Sequence, residues 1–318
     1  MLLFFVCPIL SVVFVNADEL LKPATEPPQQ VISPSPELSH WISLQSEPGG
    51  NNEYLKPFHK TYVPECTLGS YACRLACLNG GICYKNSNRL RFFIVGDTGG
   101  LPVYPYTTYA QNVVAKSLAK IGDDKNTEFT ISAGDNIYFT GVKDEFDHRF
   151  QATFENVYRG AALEKPWYMI AGNHDHFGNI SGQVAYTNRS HRWTYPSSYY
   201  KVSYAFGSDK TTVEFLMLDT IVLCGNTRDV VEAGFFEMLF ATHEILTSTV
   251  LLLLLYKVFI FRADYLFVVG HYPLYSVSEH GSMDCLIEKL KPLLEQYRAT
   301  AYIAGHDHTL QVWLYLIL

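Results

Sequence analysis

The chain has 318 residues, of which 48% are hydrophobic and 17% are charged, a composition typical of a globular protein with a large core. The formal net charge is −7 and no stretch rich in lysine and arginine is present, which excludes a nucleic-acid partner. The length accommodates one large domain, alone or with an appendage.

Residues 1–17 have the hydrophobic core and the small-residue cleavage site of a secretory signal peptide, although a basic start is missing. The alternative is a buried N-terminal strand. Residues 18–64 are rich in Pro, Ser, Gln and Glu, which predicts a linker or a disordered arm. Loss of Cys7 with the signal leaves six cysteines, and this even number favours disulfides in an oxidising compartment.

Residues 65–88 form a cysteine-rich segment that is expected to hold two disulfides. A zinc site is the alternative, but no CxxC pair is present. Cys224 and Cys285 lie apart from this segment and are predicted to form a third disulfide. Asn179 and Asn188 each begin an N-x-S sequence and are candidate glycosylation acceptors, consistent with secretion.

From about Leu90 onwards, predicted strands and helices alternate along the chain. A helix is expected to begin with Thr107 or Thr108 as its cap and to stop at Gly122. The alternation predicts a layered α/β domain over residues 89–318. The predicted strands cover 91–95 and 129–133, and the predicted helices cover about 108–121, 144–158 and 283–297.

Residues 229–262 form an atypical apolar insert, densest at 245–261. Its length approaches the roughly 18 apolar residues that indicate a membrane span. However, the strands before and after it should lie in one sheet, so a span would separate His271 from Asp97 by a bilayer. Membrane association through 245–261 is therefore the less favoured interpretation, and a buried helix or a non-native insert is preferred.

Five stretches share one pattern, an apolar β-prone run followed by glycine and then by a metal-ligand residue: RFFIVGDTGG, FTISAGDNIY, WYMIAGNHD, YLFVVGHYP and AYIAGHDH. Ligands bind at such strand ends in α/β sheets, and glycine lets the backbone approach a buried centre closely. Oxygen and imidazole ligands without thiolates suit iron, zinc or manganese. The candidate ligands are Asp97, Asp135, Tyr138, Asn173, His271, His306 and His308.

Seven ligands suffice for two metal ions if one carboxylate bridges them, and Asp135 is the natural bridge. Tyr138 indicates the kind of ion, because a phenol with a pKa near 10 ligates only a strong Lewis acid such as ferric iron. His306 and His308 are two residues apart, so an extended backbone turns both rings to one side. Asp175 or Asp307 could orient a ligand imidazole or could instead cap a loop.

The segments GDTGG, GDNIYFTGV, AGNHDHFGN, GHYPLYS with SEHG, and GHDHTLQ resemble the motif series of the calcineurin-like metallophosphoesterases. Within that superfamily they are similar to the purple acid phosphatases of the tartrate-resistant type. The resemblance runs from about Arg89 to Gln311, interrupted at about 229–262. It implies a layered β-sandwich flanked by helices. The family continues beyond GHDH, so a fold truncated at the C-terminus is expected.

The resemblance also implies a role for each candidate residue, with Asp135 as the bridge between a ferric ion and a divalent ion, Fe(II) or Zn(II). His174 and His280 resemble family histidines that contact phosphate or protonate the leaving group, help typically worth about 10²–10⁴-fold in rate. The ligands of the ferric ion would be Asp97, Tyr138 and His308. The ligands of the divalent ion would be Asn173, His271 and His306.

The implied function is that of a monomeric acid phosphatase that hydrolyses phosphate monoesters in the secreted or the lysosomal/endosomal compartment. One alternative is a non-catalytic or misfolded product of an altered gene model, whose signal, cysteine-rich segment and apolar insert decide its fate. A second alternative is a related phosphodiesterase or nucleotidase. Tyr138 disfavours the second alternative, because related non-purple enzymes generally lack a tyrosine there.

Overall fold

The computed structural model describes residues 2–6, 61–63, 77–78, 81–226 and 263–315. The predicted apolar insert at 229–262 lies outside the described residues, as does most of the predicted linker. No helix among the described residues is long and apolar enough to cross a membrane.

The strands form two sheets. The four-stranded sheet has the order β4-β5-β6-β7 with parallel neighbours, and the eight-stranded sheet is mixed, with the order β12-β1-β11-β10-β9-β8-β3-β2. In chain order the strands are β1 (Leu2–Val6), β2 (Thr61–Val63), β3 (Gly81–Lys85), β4 (Phe92–Val95), β5 (Phe129–Ser132), β6 (Trp167–Met169), β7 (Trp193–Thr194), β8 (Tyr199–Phe206), β9 (Thr211–Leu218), β10 (Tyr265–Val269), β11 (Ala301–Ala304) and β12 (Gln311–Tyr315).

The described helices are short apart from the first. They are α1 (Tyr109–Lys125), α2 (Ile180–Tyr186), α3 (Thr220–Cys224), α4 (Asp284–Lys289) and α5 (Lys291–Gln296), together with a π-helical turn at Phe150–Glu155 and a 3₁₀ turn at Asp175–Phe177.

Helix α1 begins as predicted and ends later. The Thr108 hydroxyl accepts a hydrogen bond from the Gln111 backbone N–H at 3.0 Å, which satisfies one of the free donors of the first turn. The predicted stop at Gly122 is wrong, since the helix continues to Lys125 and Asn126 caps it in the left-handed region at φ 53°. Gly122 instead allows close packing, because a Cβ there would lie 2.5 Å from Ala162 Cβ and 3.0 Å from the Phe93 ring.

The other two predicted helices are broken by local chemistry. Between 144 and 158 only Phe150–Glu155 is helical, because the carboxylates of Asp144 and Asp147 accept hydrogen bonds from nearby backbone N–H groups and favour turns. The helix predicted at 283–297 divides into α4 and α5. Pro292 lies in the first turn of α5 and has no N–H to continue the hydrogen bonding of α4.

The two sheets pack face to face through aromatic rings. Phe92 and Phe129 stack on neighbouring strands of the four-stranded sheet at 5.0 Å. Opposite them, Phe215 on β9 lies 5.0 Å from Phe92, and Tyr204 on β8 lies 4.6 Å from Phe129. These contacts join the two sheets in one buried core. The predicted layered β-sandwich is confirmed.

Helices cover the outer faces of the sandwich. Alternate residues of β9 and β10, such as Leu216 and Val268, point away from the other sheet and pack in a second buried cluster with Leu286, Leu290 and Leu294 of the α4–α5 region. On the opposite side, Leu118 of α1 is buried in the main core together with the four-stranded sheet. The layers are therefore helix, sheet, sheet and helix.

Strand β1 pairs in parallel with β11 and antiparallel with β12. It lies within residues 1–17, for which a secretory signal remains a prediction. The predicted disulfide between Cys224 and Cys285 is present and links α3 to α4 across 61 residues. Cys77 and Cys83 form a second disulfide, whereas Cys66 and Cys73 lie outside the described residues.

The ring of Phe129 contacts residues of both sheets, so its removal tests how strongly the sandwich depends on this layer. We expect Phe129→Ala to lower the free energy of unfolding by about 3–5 kcal/mol, as large aromatic truncations in cores do. Val277→Ala is the control, because Val277 is 77% exposed and should change stability by less than about 0.5 kcal/mol. Equal losses in urea unfolding of the two variants would contradict this.

Candidate metal centre

The five glycine-containing motifs meet at one edge of the sandwich. Five strands each end within three residues before the glycine of one motif: β4, β5 and β6 of the four-stranded sheet, and β10 and β11 of the eight-stranded sheet. A hydrogen bond links the two sheets at this edge, because the His306 backbone N–H donates to Asp97 Oδ1 at 3.0 Å. The candidate ligands therefore come from both sheets and face one another across the sandwich.

The backbone at these strand ends is strained. Asp97, Asp135, His306 and His308 have φ values of 57°, 52°, 78° and 47°, in the left-handed region that non-glycine residues rarely adopt. Each such residue costs on the order of 1–3 kcal/mol, and residues of this kind cluster at functional sites. Four of the seven candidate ligands share this feature.

Two of the motif glycines are needed for close approach between the sheets. A Cβ on Gly134 would lie 2.6 Å from His271 Nδ1, and a Cβ on Gly305 would lie 2.8 Å from Asp97 Oδ2. Both distances are too short for a real side chain, so any other residue would push a candidate ligand out of place.

One group of candidate ligands contains Asp97, Tyr138 and His308. The Tyr138 hydroxyl lies 2.8 Å from His308 Nε2, and the same nitrogen lies 3.5 Å from Asp97 Oδ1. Burial lowers the pKa of His308, but the hydrogen bond and charge of Asp97 outweigh this effect and raise it above its ordinary value. An oxygen-rich group with one imidazole suits a hard cation.

A second group contains Asn173, His271 and His306. The Nδ1–H of His271 donates to the Ala133 carbonyl at 2.8 Å, which leaves Nε2 with its lone pair directed into the site. Asn173 Oδ1, itself an acceptor, lies 2.9 Å from that nitrogen and 3.1 Å from His306 Nδ1. Acceptors that converge in this way fit a cation placed between them.

Asp135 lies between the two groups. Its Oδ1 is 3.5 Å from His271 Nε2, and its charge acts on the Tyr138 phenol, whose pKa it helps to raise. Ligand atoms of Asp97, Asp135 and His271 all lie within 4.8 Å of one another. Burial raises the pKa of Asp135 to about 6, although the imidazoles of His271 and His174 act in the opposite direction. A bound cation would favour the ionised form.

The titration of Tyr138 and His306 also fits a metal site. Burial, with the charges of Asp135 and Asp97, raises the pKa of the Tyr138 phenol well above its usual value. Only a strongly charged cation could therefore remove its proton. Burial and the neighbouring imidazoles lower the pKa of His306, which keeps this side chain neutral, the form that binds metals. The donor set fits a pair of cations.

The two candidate catalytic histidines lie beside these groups. His174 Nδ1–H donates to the Phe139 carbonyl at 2.9 Å, which turns Nε2 towards the site, 4.0 Å from Asp135 Oδ2. The ring of His280 lies 4.4 Å from the ring of His306, and the His280 backbone N–H donates to Asp307 Oδ1 at 3.3 Å. The structure thus brings both histidines to the same site.

Asp175 holds two ligand-bearing loops together. Its fully buried carboxylate accepts hydrogen bonds from the backbone N–H groups of Asn136, Ile137 and Gly172 at 2.9–3.2 Å, and from the side-chain amides of Asn136 and Gln183. The loop with Asp135 and Tyr138 is thereby tied to the loop with Asn173. The sequence leaves two roles open for Asp175 and Asp307, orienting a ligand imidazole or capping a loop. In the structure both carboxylates accept hydrogen bonds from loop backbone N–H groups.

Sequence reasoning missed two residues that support the site. The buried guanidinium of Arg149 donates to the carbonyls of Leu101, Gly141 and Tyr138, so it fixes the tyrosine loop. The Thr220 hydroxyl accepts from the backbone N–H of His271 at 3.2 Å. No motif marks Arg149. Thr220 lies just after the apolar strand β9. A polar residue at the end of an apolar strand is the pattern of the five motifs without their glycine, and it could have indicated a position near the site.

The family model of the calcineurin-like phosphoesterases matches residues 90–310, so the chain belongs to this family. It is 44% identical over 230 residues to the tartrate-resistant acid phosphatase type 5 of Rattus norvegicus, covering 72% of this chain and 69% of that protein. It is 32% identical over 237 residues to purple acid phosphatase 7 of Arabidopsis thaliana, covering 71% of this chain and 66% of that protein.

A solved structure with the same fold is described as GAP50, the anchor in the inner membrane complex of Plasmodium. It superposes with a TM-score of 0.54 at 26% identity and covers 69% of this chain and 66% of that chain. The expected resemblance to the calcineurin-like metallophosphoesterases and, within them, to the purple acid phosphatases is confirmed.

The five donors around Asp175 predict a large effect of a small change. Asp175→Asn replaces a carboxylate oxygen with an NH₂ group that faces N–H donors. Each buried donor left without an acceptor costs about 1–3 kcal/mol, so we expect the free energy of unfolding to fall by about 2 kcal/mol or more. Asp124→Asn, at an exposed position on α1, is the control and should leave urea unfolding unchanged. A stable Asp175→Asn variant would show that the network is dispensable.

Proposed function

We propose that this chain is a metal-dependent acid phosphatase that hydrolyses phosphate monoesters. One observation carries the proposal: the seven candidate ligands converge in two groups around Asp135, at the strand ends of both sheets. The relatives named as acid phosphatases support the same reaction class. The non-catalytic alternative and the phosphodiesterase alternative are not favoured.

The group of Asp97, Tyr138 and His308 would hold Fe(III), and the group of Asn173, His271 and His306 would hold Fe(II) or Zn(II), with Asp135 shared. Tyr138 supports the ferric assignment, because burial beside two carboxylates opposes loss of its proton. A ferric–divalent pair carries +5, and two carboxylates with one tyrosinate supply −3, so roughly +2 remains to attract phosphate.

When bound, such a pair of cations supplies Lewis acidity toward the phosphoryl oxygens and activates water as the nucleophile. The protein's own residues then complete the reaction. The Nδ1–H···O=C bond to Phe139 holds the His174 ring so that Nε2 faces the site, and in the protonated imidazolium form the Nε2 proton can pass to the departing oxygen of the ester. His280, held by Asp307, is placed to hydrogen-bond the phosphate.

The Phe139 ring contributes to the shape of the site. It is 52% exposed and packs edge-on against His174, with ring centroids 5.5 Å apart. It thereby limits the positions that the His174 ring can adopt and leaves an apolar surface beside Nε2. A leaving group with an apolar part would pack on this surface.

The setting we propose is the secreted or the lysosomal/endosomal compartment, with the protein acting as a monomer. The disulfides Cys77–Cys83 and Cys224–Cys285 support an oxidising compartment. The signal peptide at residues 1–17 and glycosylation at Asn179 and Asn188 belong to the same proposal. Both asparagines are exposed.

The activity and the ferric assignment are tested together on the full chain loaded with iron. We expect acid phosphatase activity on para-nitrophenyl phosphate, loss of that activity on chelation, and a visible tyrosinate–iron absorption band. Tyr138→Phe should abolish the band because it removes the phenolate that would bind the ferric ion. Tyr109→Phe, at a residue that is 87% exposed, is the matched control and should keep the band. An unchanged band in Tyr138→Phe would contradict the ligand assignment.

Glycosylation can be tested without disturbing the fold. Asn179 caps α2 through its side chain, so the first acceptor is better removed by Ser181→Ala, at an exposed position. Ser190 is buried and bonds to Glu155, so the second is better removed by Asn188→Gln. Each change should remove one glycan, so the secreted variant should lose less mass than the secreted wild type on glycosidase treatment. A variant that loses as much mass as the wild type would contradict that acceptor.

A further inference from the structure

A half-buried histidine and a buried aspartate form a pair that connects the two sheets beside the candidate metal centre. His176 lies in the 3₁₀ turn that follows Asn173 and His174, on the side of the four-stranded sheet. Asp219 directly follows β9 in the eight-stranded sheet and is fully buried. His176 Nε2 lies 2.8 Å from Asp219 Oδ2, and the His176 side chain is 18% exposed.

Asp219 also organises the loop on its own side. Its Oδ1 accepts hydrogen bonds from the backbone N–H groups of Ile221 and Val222, both at 3.1 Å, and thereby caps α3. The next residue, Thr220, accepts from the backbone N–H groups of His271 and Tyr272. The loop that carries the candidate ligand His271 is thus held by Thr220, the first residue of α3, which Asp219 caps.

The pair has the character of an ion pair. Burial alone lowers the pKa of His176, but the charge and hydrogen bond of Asp219 act more strongly in sum and raise it above its ordinary value. Tyr195 adds a hydroxyl 3.5 Å from the same Asp219 oxygen. Neither His176 nor Asp219 belongs to the candidate ligands or to the groups that would touch phosphate.

We propose that His176 and Asp219 are positioning residues, which hold Asn173 and His174 of the four-stranded sheet in register with His271 of the eight-stranded sheet. The inference rests on the proposed function, because it assigns a task within the same site. Its physical basis is that one Asp219 carboxylate binds α3 with one oxygen and the opposite loop with the other. A displacement of about 1 Å between catalytic groups can lower a rate about 10²-fold.

The variants that isolate this contact are His176→Gln, Asp219→Asn and the double variant. Asn at 219 can still cap α3, so Asp219→Asn removes mainly the charged contact to His176. The control is His191→Gln, since His191 and Glu164 form a similar pair at 2.6 Å on the exposed surface away from the site. All four proteins are compared with the wild type as full chains.

We expect each single variant to lower kcat about 10–100-fold with KM changed less than about threefold, and to weaken zinc binding at the divalent position by a similar factor. The tyrosinate–iron band should keep its position, because the ferric group contains none of these residues. The double variant should lose no more than either single variant, since both changes break one contact. His191→Gln should match the wild type in all three measurements.

Several results would overturn the inference. One is that the single variants have the same zinc affinity and kcat as His191→Gln. Another is that the losses in kcat of the single variants multiply in the double variant. A third is that the lost activity reflects only a smaller folded fraction, with kcat per folded molecule unchanged. Wild-type protein that binds two ions but does not hydrolyse phosphate monoesters would instead contradict the proposed function, while the zinc-affinity comparison would still test the pair. Wild-type protein that binds no metal would overturn both.

Discussion

The constraint on which this structure depends is the burial of carboxylates at the point where two sheets meet. Asp97 and Asp135 are 2% and 1% exposed, and their ion-pair partners among the described residues are imidazoles. Burying such charges is costly unless cations or protons neutralise them. The left-handed backbone at both residues adds further cost. A pair of bound cations would offset both costs at once.

Because the candidate ligands come from both sheets, the geometry of the candidate metal centre depends on how the sheets pack. The aromatic layer of Phe92, Phe129 and Phe215 sets their separation, and the strand ends carry that separation to the site. Polar contacts such as His306 N–H to Asp97 then align the two edges. The core thus positions the candidate ligands, and close-packed cores transmit small displacements.

Sequence alone predicted the parts of the fold that follow from local chemistry. The strand ends with glycine and a ligand residue, the Thr108 cap and the pairing of Cys224 with Cys285 are such parts. The predicted helix end at Gly122 was wrong because glycine is needed there for close packing against Phe93, which is distant in sequence. Arg149 escaped notice for the same reason, since it binds carbonyls in loops that come together only in the folded chain. Contacts between distant segments leave no local pattern.

Aspartates at this edge differ in role according to the donors around them. Asp175 accepts five hydrogen bonds and Asp219 accepts from α3 and His176, so their oxygens are occupied by the protein. Asp135 accepts a hydrogen bond from the His174 backbone N–H but otherwise faces imidazole and phenol groups, which include candidate ligands. Carboxylates satisfied by backbone donors hold loops, whereas a carboxylate surrounded by other candidate ligands would be free to bind metal. A sequence shows only that each is an aspartate near a strand end, and the fold decides between the two roles.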